Sequence, residues 1–181
     1  MVGQASYIVT YIGWKSGLLF DLMANDDFDA IYTARILELA ADIPRLGRLA
    51  APEATASARS PICGSKVTID LSLSDDGRVA DFAHDVRACA LGQAASSLMA
   101  RHIVGAAPAA LIALRETIRS MLKESGPPPA GEWAEFAVLE PVRDLPSRHA
   151  ATLLTFDAVA EALGKIDPRR RPAVAAAPSD R

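Results

Sequence analysis

Two thiols carry most of the chemistry open to this chain. Cys63 stands in the stretch RSPICGSKVTIDL (59–71) and Cys89 in RACALGQ (87–93), and the 181 residues hold no other cysteine. A thiolate is a nucleophile and a metal ligand, while a protonated thiol in a core is a small hydrophobe. Residue type alone therefore leaves three uses open: a working thiol, a ligand, or buried filler. A thiol oxidoreductase is disfavoured. There is no Cys-x-x-Cys, and the pattern around the cysteines is not a thioredoxin-like βαβ unit.

The elements that must position these thiols can be read from periodicity. Val67, Ile69, Leu71 and Leu73 alternate with Thr68, Asp70, Ser72 and Ser74, which is the strand period. SDDG (74–77) reads as a turn, with Gly77 suited to positive φ, and RVADFAHDV (78–86) returns as the partner strand. A short edge strand within 55–60 joins them. Cys63 then lies just before the hairpin and Cys89 just after it, at one end. The period turns helical over 92–105, so a helix begins close to Cys89. A helix N-terminus favours thiolate.

Further helices are predicted at 29–43, ended by Pro44, and at 108–125, where Leu111, Leu114, Ile118, Met121 and Leu122 form one stripe. A last helix is predicted at 149–164, with Gly164 as its C-cap. Residues 44–61 read as a loop, 126–133 as a turn or lid-like loop, and 135–148 as irregular. The expected fold class is α+β: a small antiparallel sheet of about three strands with helices packed on one face.

Composition sets outer bounds. Half of the residues are hydrophobic, so the chain is globular, and a net charge of −3 argues against general nucleic-acid binding. Two cysteines cannot form a disulfide scaffold, which points to a reducing, cytoplasmic setting. Residues 1–28 read as an N-terminal extension. Its first 22 residues lack a basic start and are interrupted by Lys15 and two glycines, so Met23 is an alternative start. No run reaches the roughly 18–20 apolar residues of a membrane span. The domain is expected over 29–164 and a disordered tail over 165–181.

SPICGS (60–65), ACALGQAASSLMA (88–100) and RHAATLLTFDAV (148–159) together resemble the three motif regions of the U-type iron–sulfur scaffold family, which includes IscU, SufU and the N-terminal domain of NifU. In that family the regions read P-x-C-G-D, then G-C-A-I-S-x-A-S, then a cysteine at the start of a helix. Their order and the spacing of the first two cysteines agree here. The longer segment between the second and third regions resembles SufU. The resemblance covers about residues 30–164.

It implies an IscU- or SufU-like α+β fold and an assembly scaffold rather than an enzyme. Such a protein transiently holds iron and sulfur, or a [2Fe–2S] cluster, for transfer to acceptor apoproteins. Zn²⁺ is an alternative metal and a cysteine desulfurase the implied sulfur donor. Neither nucleic acid nor a membrane is an implied partner, and the chain would be a monomer or homodimer. The implied ligands are Cys63, Cys89 and His149. The family's carboxylate aligns with Ser65, the glycine before its second cysteine with Ala88, and its third cysteine with Ala150. A cluster or tetrahedral Zn²⁺ takes four donors. The fourth would be Ser65 (a weak ligand while protonated), water, a thiol from elsewhere, or nothing. Sulfur would be accepted at Cys63 or Cys89. The second reading implied is a scaffold-like interaction module that contacts a cysteine desulfurase and binds Zn²⁺ or no metal.

Other candidates have plainer uses. His84 is expected to pack across strands, and His102 to lie on a solvated face or in a satisfied packing position. Leu98 and Met99 are expected to fill core. Arg148 either steers an anionic persulfide or is a surface arginine.

Overall fold

In a computed structural model, residues 32–61, 64–167 and 169 are described. Residues 1–31, Ile62, Cys63, Pro168 and 170–181 lie outside that set, and with them the expectations for the N-terminal extension and most of the tail.

Three antiparallel strands form one sheet in the order β1-β2-β3: β1 Ala54–Arg59, β2 Lys66–Leu73 and β3 Val79–Arg87. The hairpin is the expected one. Gly77 has φ +76°, and the Ser74 amide donates to the Arg78 carbonyl at 2.8 Å. Register puts Ala56, Ile69 and His84 in one row, and Ala58, Val67 and Val86 in the next. Val67, Ile69 and Leu71 are fully buried on that face. Alanines on β1 leave room there for a helix to lie close.

The helices are α1 Ala34–Ala41, α2 Ala90–His102, α3 Pro108–Lys123 and α4 Pro146–Lys165. Helix α4 packs against β1, β2, α2 and α3, so it is the centre of the domain. Its buried surface runs all round, from Ala151 through Leu154 and Ala158 to Leu163, as a helix surrounded by other elements requires. The predicted α3 stripe of Leu111, Leu114, Ile118, Met121 and Leu122 is buried throughout.

Several expectations need correction. Residues 135–148 were expected to be irregular, but Gly131–Asp144 is a 3₁₀ helix. Phe136, Leu139 and Val142 are its buried residues, and their spacing of three stacks them on one face of a three-residue turn. Pro141 lacks an N–H and so cannot support a continuous α-helical ladder. Gly164 is not the cap of the last helix. Lys165 is still helical and Ile166, 2% exposed, is the C-cap. The ordered chain therefore extends past the expected start of the tail at 165, because Ile166 reaches the core and Lys165 Nζ donates to the Thr55 carbonyl at 2.9 Å. The helix expected at 92–105 begins at Ala90 and ends at His102. Gly105, with φ +85°, turns the chain instead. The described part of the predicted 29–43 helix is limited to Ala34–Ala41.

Candidate functional site

The strands end together at the Arg59–Lys66 and Lys66–Arg87 pairings. Just beyond, the Ser60 amide donates to the Ser65 carbonyl at 2.8 Å and the Gly64 amide donates to the Ser60 carbonyl at 3.2 Å. These bonds hold Ser60, Gly64 and Ser65 together at the end of the sheet. Gly64 has φ +69°, a left-handed conformation that glycine adopts without steric cost. Ser65 is buried at 6% exposure. Cys63 lies outside the described residues. Ser60 is buried, and its hydroxyl has no hydrogen-bond partner among the described residues.

Cys89 leaves β3 and becomes the N-cap of α2, with an extended backbone (φ −65°, ψ 169°). Its carbonyl accepts from the Gln93 amide at 2.9 Å. The side chain is half-buried and makes no capping bond.

The start of α4 closes over the first turn of α2. A Cβ on Gly92 would stand 2.7 Å from the Ala88 Cβ and 3.0 Å from the Ala151 carbonyl oxygen. Only a residue without a side chain permits that approach. It brings the segment His149-Ala150-Ala151 against the segment Ala88-Cys89. Ala150 is half-buried.

His149 is buried, and its Nε2 lies 3.0 Å from both the Val142 and Arg143 carbonyls. Carbonyls only accept, so Nε2 carries the hydrogen. The lone pair of the neutral ring is then on Nδ1. This is the arrangement by which a backbone carbonyl fixes the tautomer of a ligating histidine. The 3₁₀ helix, whose last turn supplies both carbonyls, thereby orients His149.

Cys89 and His149 thus stand on adjoining helix starts, with Ser65 just before β2 at the same end of the sheet. Among the described residues, no three of His, Cys, Asp and Glu gather into a metal-binding group. Arg148, beside His149, is half-buried and its guanidinium has no carboxylate partner among the described residues.

The other histidines have structural partners. His84 is fully buried and its Nε2 lies 2.9 Å from the Pro44 carbonyl. Burial pushes its pKa below the ordinary value, opposed in part by that bond. His102 Nε2 lies 2.7 Å from Glu135 Oε2, between the rings of Trp133 and Phe136. The His102 and Arg35 hydrogen bonds hold the Glu135 pKa below the usual carboxylate range. Leu98 and Met99 are core, at 0% exposure.

Two residues carry roles that the sequence pattern did not suggest. Gly92 is the contact point of the two helices. The sequence held no clear signal for it, since the predicted helix began at Gly92 itself. Asp70 is a fully buried carboxylate on β2. Arg48 Nε and Nη2 donate to it at 2.6 and 2.8 Å, Thr55 Oγ1 at 2.6 Å and the Leu49 amide at 3.1 Å. The Arg48 bond is the main cause that lowers its pKa. This carboxylate fastens the 44–53 segment across the outer sheet face. Its signal was an acid at a strand position that should have faced solvent.

Comparison with known proteins agrees with this geometry. The family described as NifU-like N terminal domain matches residues 31–171. The crystal structure of a nitrogen-fixing NifU-like protein (N-terminal) from Brucella abortus is 53% identical, with a TM-score of 0.75 over 77% of this chain and 96% of that one. The iron–sulfur cluster assembly scaffold protein IscU of Streptococcus pyogenes serotype M1 is 24% identical over 141 residues, which are 78% of this chain and 87% of that protein. A putative SUF-system scaffold from Fervidobacterium islandicum AW-1 shares the fold, with a TM-score of 0.69 at 18% identity over 75% of this chain and 98% of that one. No helix among the described residues is long and apolar enough to cross a membrane. With the family pattern covering most of the chain, the protein belongs to the NifU-like N-terminal domain family of iron–sulfur cluster assembly scaffolds.

Proposed function

We propose that this chain is a carrier that transiently holds iron and sulfur, or a [2Fe–2S] cluster, and passes it to acceptor apoproteins. The observation that carries this reading is the Gly92–Ala151 approach. It sets the element bearing His149 against the N-cap position of Cys89. The donors are Cys63, Cys89 and His149 Nδ1, with Ser65 a weak fourth. The cargo, whether iron, cluster or Zn²⁺, is a guest rather than a resident cofactor. A site of two thiolates and one imidazole leaves a coordination position open, which suits release. In this reading the protein acts in the cytoplasm, as a monomer or homodimer, and is not an enzyme.

Sulfur enters from a cysteine desulfurase. The thiolate of Cys63 or Cys89 attacks the outer sulfur of the donor's persulfide. A new S–S bond forms on this chain, the donor's S–S bond breaks, and the donor cysteine leaves as thiolate. Arg148 faces an anionic persulfide with a guanidinium that has no carboxylate partner among the described residues.

The replacement of the family's carboxylate by Ser65 and of its third cysteine by Ala150 motivates a second reading: an interaction module that binds the desulfurase with Zn²⁺ or no metal. Anaerobic reconstitution separates the two. The carrier takes up iron and sulfide together and gains a visible sulfur-to-iron absorbance. A module binds the desulfurase equally well with Cys63 and Cys89 both replaced by alanine and stays colourless.

A further inference from the structure

The sheet ends, beside Gly64 and Cys89, in a row of three cations. Arg59, Lys66 and Arg87 stand directly opposite one another, one from each strand. All three are exposed. Directly opposed side chains on one face have Cβ atoms about 4.5–5.5 Å apart, and like charges there repel. Among the described residues, Arg59 and Lys66 have no carboxylate partner. Asp85 is 4.0 Å from Arg87, with side chains 54% and 82% exposed, so solvent screens that pair. Sheet stability alone would place mixed signs here. The row is also tied to the site by sequence. Arg59 precedes Ser60, Lys66 follows Ser65, and Arg87 stands two residues before Cys89.

We infer that this row is a docking surface for a carboxylate-rich segment of the protein that delivers or receives the cargo. The partner's task rests on the carrier reading above, whereas the surface rests on strand register and charge. Three neighbouring strands span about 10 Å, which fits two or three side-chain carboxylates of one acidic segment. A nucleic-acid backbone calls for a longer track of cations. The nearby Asp85 and the net charge of −3 disfavour a nucleic acid or an anionic membrane further.

The test uses the full chain with four probes: a fluorescent Glu-Gly repeat peptide, its Gln-Gly counterpart, a thymidine oligonucleotide, and phosphatidylglycerol vesicles. The Glu-Gly peptide should bind at low salt, about tenfold or more above the Gln-Gly peptide, and dissociate at high salt. The Arg59→Gln/Lys66→Gln/Arg87→Gln variant should lose that binding about tenfold while its Tm stays level or rises, because a repulsion has gone. Equal binding by the variant, a lowered Tm, or tighter binding of the oligonucleotide or the vesicles overturns the inference. The two readings fail separately. Charge-selective peptide binding by a protein that takes up no iron and sulfide overturns only the carrier. Iron and sulfide uptake without charge-selective peptide binding overturns only the docking surface.

Discussion

Gly92 touches Ala151 so closely that a single added carbon would meet the Ala151 carbonyl oxygen at 3.0 Å. That contact joins the first turn of α2 to the second turn of α4, and it reverses a familiar rule. Glycine to alanine inside a helix ordinarily stabilises by about 0.5–1 kcal/mol. Gly92→Ala should instead destabilise, by about 1–3 kcal/mol as overpacking does, and should lower iron uptake. Gly164, also in a helix, has nothing within 4 Å of the added carbon, so Gly164→Ala should stabilise by about 0.5–1 kcal/mol. Urea midpoints of the two variants are the check, and shifts of the same sign would refute the contact.

His149 is predicted to serve twice, as a hydrogen-bond anchor through Nε2 and as a donor through Nδ1. His149→Gln keeps an N–H for the Val142 and Arg143 carbonyls but loses the imidazole lone pair. Its fold should survive, with a cost within about 1–2 kcal/mol, while iron affinity falls by about tenfold or more. His149→Ala should lose both. Thermal unfolding and an iron titration on each variant separate the roles.

Asp70 and His84 make stability fall with acid, through different groups. The folded pKa of Asp70 is lowered. Its contribution is fully present above the unfolded value of about 3.9 and is lost as pH falls through the folded value. Asp70→Asn should flatten that acid limb and cost about 1–3 kcal/mol at neutral pH. His84 is also lowered, by burial. Below about pH 6.5 the unfolded chain takes up a proton that the native ring resists, so stability declines from there downward. His84→Gln should remove this upper part of the slope, readable in urea midpoints taken from pH 7 to pH 5.

The hairpin was legible because its two-residue alternation has one partner solution and a turn to match. The three-residue spacing of Phe136, Leu139 and Val142 was equally present. A spacing of three over so short a span does not by itself distinguish a 3₁₀ helix from irregular chain. Of the site, Cys89 and His149 were named from sequence at positions that prove to be helix starts. Cys63 stays outside the described residues. The Gly92 contact and the Asp70–Arg48 clasp were not legible, since each depends on residues that meet only through tertiary packing. Helix ends moved by a few residues for the same reason: Ile166 is held by the core, not by a local cap.

The central claim is that Cys63 and Cys89 hold an iron–sulfur cargo together. The most direct measurement is anaerobic reconstitution of the full chain with iron and sulfide, followed by metal analysis and visible spectra, beside Cys63→Ala and Cys89→Ala. The account predicts matched iron and sulfide with a charge-transfer band in the parent, and loss of both in either variant with the fold retained. A parent that stays colourless and iron-free, or variants that load as well as the parent, would contradict it.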